Sequence, residues 1–417
     1  MKLSTKWLAG MNTEWQIINP KLIFEERVGK SLPDDVHLTP SQTYGVLPQS
    51  EYMEKNGTGV VLNLVGADNM KHVEKNDFII HLRSFQGGIE HSSYAGKVSN
   101  AYCVLKTKAE VEPRFFRWVL KSTGYIQELN STTNQLRDGQ SIKFEQFASI
   151  GLPVPPIEAQ RRIADYLDSQ VLLIDHLIEL KEKANEVYVE AFASLKHATV
   201  TAEGCGNQVS TGLVWMPKAP KEWRKISLQS HISWRKGIDS GRLNAEYCGQ
   251  HEGIYPVYSG QTANNGIFAQ INTYDFDFIE KCLLMSTVGA LAGRTKLIGG
   301  KFSLSQNCAI LVAQTRDISL EFLNYLWPSI WSVMSSQIPS DMQPSVRFSD
   351  LAKQWLVLPS IDEQQRIVEV ISKAQKNSDA LVSTAKSQIE GLRELKSSLI
   401  TAAVTGTFDV TTRRSVA

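Results

Sequence analysis

The sequence predicts an α+β protein, with two mixed α/β units related by internal duplication and separated by two long helices paired as an antiparallel coiled coil. Three observations carry that expectation. The chain repeats itself at an offset of 204 residues. Each copy holds one long stretch of heptad-spaced apolar residues. The stretches between consist of short apolar runs broken by Gly, Ser, Asn and Gln turns.

The repeat is read directly. Leu152-Pro153-Val154-Pro155-Pro156-Ile157-Glu158-Ala159-Gln160-Arg161-Arg162-Ile163 returns as Leu356-Val357-Leu358-Pro359-Ser360-Ile361-Asp362-Glu363-Gln364-Gln365-Arg366-Ile367. The same offset carries Ser141-Ile142-Lys143-Phe144 onto Ser345-Val346-Arg347-Phe348, and Leu195 onto Leu399. Near the start of each copy, Trp7 and Trp15 are answered by Trp215 and Trp223. The expected organisation is therefore a first unit at 1–150, a long helix at 151–204, a second unit at 205–355, a second long helix at 356–410, and a tail at 411–417.

Each long helix follows a proline-rich turn, and Ser360 with Glu363 forms a capping box at the entry to the second. Ile163, Leu167, Ile174, Leu177 and Leu195 mark the first apolar stripe; Ile367, Ile371, Leu381, Leu392 and Leu399 mark the other. Forty helical residues would extend about 60 Å. Amphipathic helices ordinarily belong to domain cores, but stripes of this length in a shared register are expected to bury on each other. Between them, strands are expected at 57–64, 77–83, 281–285 and 308–312, and helices at 110–129 and 320–337.

Composition narrows the function. A net charge of +1 over 417 residues neither demands nor forbids a nucleic-acid partner. Residues 205–355 carry a net +3 and residues 151–204 a net −4, so basic charge lies in the intervening units. Five widely spaced cysteines without a Cys-x-x-Cys pair argue against zinc and against a disulfide framework, and fit a reducing cytoplasm. No stretch approaches the roughly 20 apolar residues of a membrane span. Catalytic motifs are missing as well. There is no Asn-Pro-Pro-Tyr or Asp-Pro-Pro-Tyr loop and no Gly-x-Gly-x-x-Gly turn, and Gly29-Lys30-Ser31 lacks the glycine a phosphate loop needs, having Phe24 in its place. Glu179-Leu180-Lys181 and Glu394-Leu395-Lys396 fall inside the long helices and read as solvated pairs. No histidine has metal-ligand spacing, so the chain is expected to be non-catalytic and to bind neither metal nor cofactor.

What remains is a set of polar and basic side chains on glycine-rich turns, where a scaffold presents groups to bases and phosphates. In the first unit the candidates are Arg83, Ser84, Gln86, His91, Ser92, Tyr94 and Lys97. In the second they are Tyr258, Ser259, Gln261, Asn264, Arg294, Lys296, Lys301 and Asn307. Lys143 and Arg347, the basic residues of the repeated tetrapeptide, complete the list. Amides can pair bidentately with adenine, while Arg294 can serve guanine or phosphate.

With these residues in view, the chain resembles the specificity subunits of type I restriction-modification systems. The paired Pro-x-Ile-x-x-Gln-x-x-Ile signatures carry the resemblance, together with Tyr255-Pro256-Val257-Tyr258-Ser259-Gly260-Gln261 and Leu399-Ile400-Thr401-Ala402-Ala403-Val404-Thr405-Gly406. It covers nearly the whole chain, and the first unit follows the family pattern less closely than the second. It implies two target-recognition domains, each reading one half of a split sequence in double-stranded DNA, with the helices setting the gap. It also implies two methylating subunits that use S-adenosylmethionine, and restriction subunits that use ATP and Mg. The other reading is a coiled-coil scaffold with duplicated protein-binding domains.

Overall fold

The structure is a computed structural model that describes residues 3–57, 70–81, 88–108, 110–131, 142–260, 263–339 and 341–410. The chain divides into two compact units. One comprises Met1–Glu182 with Lys386–Ala417; the other is Lys183–Ala385.

In the first unit a four-stranded antiparallel sheet runs in the order Phe24–Glu26, Cys103–Thr107, Phe78–Ile80, Ile89–His91. Phe78–Ile80 is apolar and buried throughout and Cys103–Thr107 is so at Cys103, Val104 and Leu105, as strands covered on both faces must be. The expected strand at 77–83 is Phe78–Ile80, while the one at 57–64 lies outside the described residues except for Gly57. The expected helix at 110–129 is two helices, Pro113–Lys121 and Thr123–Ser131, broken where Ser122 takes an extended conformation. Proline at the first helical position and Glu112 as the cap set the entry, with the Arg114 N–H donating to the Glu112 carboxylate at 3.2 Å. Phe24 centres the core, with Phe78, Phe116 and Phe147 meeting it edge-on at 5.4 Å.

The second unit has a six-stranded sheet in the order Ile232–Lys236, Cys308–Ala313, Phe276–Ser286, Thr295–Leu304, Glu252–Tyr258, Ile267–Ile271. Only the pairing of Glu252–Tyr258 with Thr295–Leu304 is parallel. The expected strands at 281–285 and 308–312 lie within this sheet, and the expected helix at 320–337 is Leu320–Ser336, capped by the Ser319 side chain. The helix buries Phe322, Leu323, Leu326, Trp327 and Ile330 against one face of the sheet.

Both units close their bases in the same way. Gln16–Ile18 pairs with Leu152–Val154, and Arg224–Ser227 pairs with Trp355–Leu358. Trp15 meets Phe115 edge-on at 6.5 Å, as Trp223 meets Phe322.

The long helices span Ile157–Thr201 and Ile361–Thr405, each 45 residues and so about 67 Å. The Glu363 N–H donates to Ser360 Oγ at 3.3 Å, as the sequence predicted for that entry. Both helices end in a left-handed residue, at Ala202 (φ 52°) and Gly406 (φ 70°). Within the first unit the two are antiparallel, joined by Lys396 to Asp175 at 2.7 Å, Arg393 to Glu182 at 2.9 Å and Lys181 to Gln388 at 2.7 Å.

The apolar stripes do not form one continuous seam. Ile163, Leu167 and Ile174 are buried, but the first two enter the core of the first unit, joined there by Ile400 and Val404. Ile367 and Ile371 pack into the core of the second. Leu399 is half-buried against the first core, and Leu392 is half-buried too. Leu177, Leu195 and Leu381, expected as pairing residues, are 46%, 50% and 50% exposed. The helix ends belong to the unit cores, and within the first unit polar contacts join the helices beyond that core. For that reason the unit boundary falls inside each helix, not at its end.

Candidate nucleic-acid interface

The repeated signature has a structural reason in its glutamine. Gln160 is buried; its Oε1 accepts the Glu112 N–H at 2.9 Å and its Nε2 donates to the Pro155 carbonyl at 2.8 Å. Gln364 repeats this, accepting the Ser319 N–H at 2.8 Å and donating to the carbonyls of Pro359 and Asp317 at 3.0 and 2.9 Å. Glu112 and Ser319 cap the helices that support each sheet. One amide thus satisfies an otherwise orphaned helix N-terminus and ties each unit to its own long helix.

In the second unit three predicted residues converge. Ser259, Arg294 and Lys296 line a cavity of 340 Å³ together with Gly260 and Ser286. The turn joining Phe276–Ser286 to Thr295–Leu304 places Arg294 there. Gly293 has φ 77° and lies so close to Trp331 that a Cβ would come within 2.2 Å of the indole. Its carbonyl accepts from Trp327 Nε1 at 2.7 Å, and the Thr295 hydroxyl donates to Asn324 Oδ1 at 2.9 Å. The supporting helix therefore fixes the turn. Lys296 donates to the Asn265 carbonyl at 2.9 Å, and burial holds its pKa below the usual lysine value.

The other candidates of this unit lie elsewhere. Tyr258 packs edge-on against Phe302 at 5.7 Å in the core, where burial raises its pKa. Lys301 sits over Tyr274 at 4.7 Å, five residues along the strand from Lys296, and Tyr274 holds its pKa up. Asn307 is exposed, and its carbonyl accepts the Thr287 N–H at 2.9 Å. Gln261 and the side chain of Asn264 fall outside the described residues.

In the first unit His91 and Tyr94 line a cavity of 540 Å³ with Arg117, Lys121 and Lys396. His91 lies 3.2 Å from Asn76 Oδ1, and burial, then the Arg117 charge, lower its pKa to about 4. Lys121 is paired with the buried Glu90 carboxylate. Ser92 is buried, its hydroxyl committed to the Tyr94 carbonyl at 2.7 Å, and Lys97 is half-buried in a strand. Arg83, Ser84 and Gln86 lie outside the described residues. Lys143 and Arg347 hold equivalent exposed positions before short helices, their N–H groups donating to Gln146 and Asp350.

Sequence reasoning missed Ser286 and Gly260 in the second cavity and Arg117 and Lys121 in the first. The last two stand on a helix predicted only for packing. Among the described residues no group of three or more His, Cys, Asp and Glu is placed to hold a metal, the five cysteines are free, and no helix is long and apolar enough to cross a membrane.

Residues 12–187 and 235–391 match the family described as the type I restriction modification DNA specificity domain. The chain belongs to that family. Among its curated relatives are putative type I specificity subunits of Mycoplasma pneumoniae. One is 30% identical over 149 residues, 34% of this chain and 39% of the relative, and another is 30% identical over 158 residues, 37% and 49%. These matches span less than half of either relative. A third from the same organism is 25% identical over 243 residues, 58% of this chain and 88% of its own length. The fold is also that of the HsdS subunit from Thermoanaerobacter tengcongensis, with TM-score 0.55 at 16% identity over 95% of this chain and 98% of that one. A chain from a study of assembly and conformational transition in the type I R-M system reaches TM-score 0.67 at 15% identity, over 95% and 99%.

Proposed function

We propose that the chain is the sequence-specific DNA-recognition subunit of a type I restriction-modification complex, working in the cytoplasm. Each unit reads one half-site of a bipartite target, and the long helices set the unspecified gap. The observation that carries this reading is the duplication itself. The same glutamine clamp, strand pair and tryptophan contact recur in both units of a family named for DNA specificity. A duplicated frame carrying different turns is what reading two different half-sequences requires.

The chain directs chemistry performed by others. Two methylating subunits with S-adenosylmethionine modify adenine, and restriction subunits with ATP and Mg cut the DNA. Apolar residues left exposed on the helices, Leu172, Leu173 and Leu395 in the first unit and Val187, Val189 and Val370 in the second, supply surface for the methylating partners.

The test is to co-purify the chain with its cognate methylating subunits and map methylated adenines across a genome. One split motif with two defined halves and a fixed gap is expected. Stable assembly with no methylated motif contradicts the reading function, and retention of protein partners without DNA favours a scaffold. Deleting one turn from both long helices, about 5.4 Å, should alter the gap and leave each half-sequence intact.

A further inference from the structure

The cavity of the second unit contains a group that internal packing leaves unexplained. Ser286 is 6% exposed, and its Oγ has no hydrogen-bond partner among the described residues. A buried hydroxyl without a partner costs folding free energy, so its retention points to a partner from outside the chain.

The space beside it is kept open. A Cβ on Gly260 would lie 2.7 Å from Ser286 Oγ and 3.1 Å from the Asn307 carbonyl. Gly260 does not have a positive φ, so its backbone conformation does not demand glycine. What demands it is the room in front of the serine.

The lining has one chemical sign. Arg294 is exposed at the cavity and its side chain has no hydrogen bond or ion pair among the described residues. Lys296 brings a second cation, anchored through Asn265, and among the described residues no carboxylate lines the cavity. Donors with two positive charges suit an anion carrying several acceptor oxygens.

We propose that this cavity is a phosphate clamp for the backbone of the DNA that the second unit reads. One phosphodiester group accepts from the Ser286 hydroxyl and the Arg294 guanidinium, with Lys296 as the second charge. This rests on the DNA-recognition reading above and adds to it that Arg294 holds the register on the duplex and does not select a base.

The experiment uses the full chain with its cognate methylating subunits and a pool of duplexes with randomised positions. Both the enriched motif and the salt dependence of binding are read. Ser286→Ala is expected to weaken retention of every enriched sequence by roughly tenfold, with the motif unchanged. Arg294→Ala should weaken it at least as much and reduce the log–log salt slope by about one, and Arg294→Lys should restore that slope. Gly260→Ala should reproduce the serine loss by filling the space. Thermal unfolding of each variant, expected unchanged for the exposed Arg294, separates binding from folding. Loss of selectivity at one base position with the salt slope intact would make Arg294 a base reader and overturn the clamp, as would unchanged affinity in both the serine and arginine variants. A wild-type complex that retains no duplex would instead overturn the DNA-recognition reading itself.

Discussion

Gln160 holds the helix that begins at Pro113, and Gln364 holds the helix that begins at Leu320 by the same bonds; yet the sheets those helices support have four strands in the first unit and six in the second. The cavities differ too. The first carries a histidine with its pKa lowered to about 4 and the Glu90–Lys121 pair, while the second, among the described residues, has no carboxylate and leaves a serine without a partner. Sequence likeness is strongest where each unit meets its long helix and fades toward the turns. The part that joins each unit to its helix has stayed equivalent, and the sheets and turns beyond it have diverged.

Phe115 and Phe322 are fully buried against Trp15 and Trp223, and alanine at either should cost its own unit about 4 kcal/mol. Hydrogen exchange resolved by unit would measure both. Costs that differ by more than about 2 kcal/mol would mean that sequence was duplicated but packing was not. Next come the glutamines. Leucine at 160 or 364 strands a buried N–H and at least one carbonyl and should cost about 3 kcal/mol, with exchange accelerated first at the helix starts near Phe115 and Phe322.

Two further changes should act on one unit alone. Gly293→Ala meets both a φ of 77° and the Trp331 ring, so it should destabilise the second unit by about 2 kcal/mol and leave the first unmoved. The smallest effect belongs to His91. Its pKa is lowered from 6.5 to about 4, so above pH 6.5 the ring is neutral in both folded and unfolded chain and contributes no pH dependence. As pH falls from 6.5 toward 4, the unfolded chain takes up a proton that the folded ring refuses, and stability drops. Urea titrations of wild type and His91→Gln across that window should diverge in the first unit; parallel curves would show that the ring is solvated.

Much of this frame was legible because repeats and caps are local. The offset of 204 residues, the proline turns and Ser360 with Glu363 located both long helices to within a few residues. Burial along them was not legible. The spacing of Leu177, Leu195 and Leu381 resembles that of Ile163 and Leu167, and only tertiary structure decides which of them meets a core. The break at Ser122 was signalled by Ser122-Thr123-Gly124, poor helix formers whose signal was outweighed by the apolar spacing on either side. For the candidate interface, charge and turn chemistry singled out Arg294, Lys296 and Ser259, which lie in different stretches of the chain and line one cavity. They could not reveal Ser286, which ends an apolar strand run and reads as core until the gap left by Gly260 is seen. Tyr258 instead packs against a core, since a tyrosine near a turn can fill a core as well as face a groove.

The division of the long helices between units bears on how the chain is made. Lys183–Ala385 is one continuous piece and can fold as soon as it has been synthesised. The first unit cannot, because Ile400, Ala403 and Val404 belong to its core and emerge from the ribosome more than two hundred residues after the sheet they cover. The half that is translated first is therefore the half that finishes last. A premature stop near residue 390 would spare the later half and leave the earlier one with an open core.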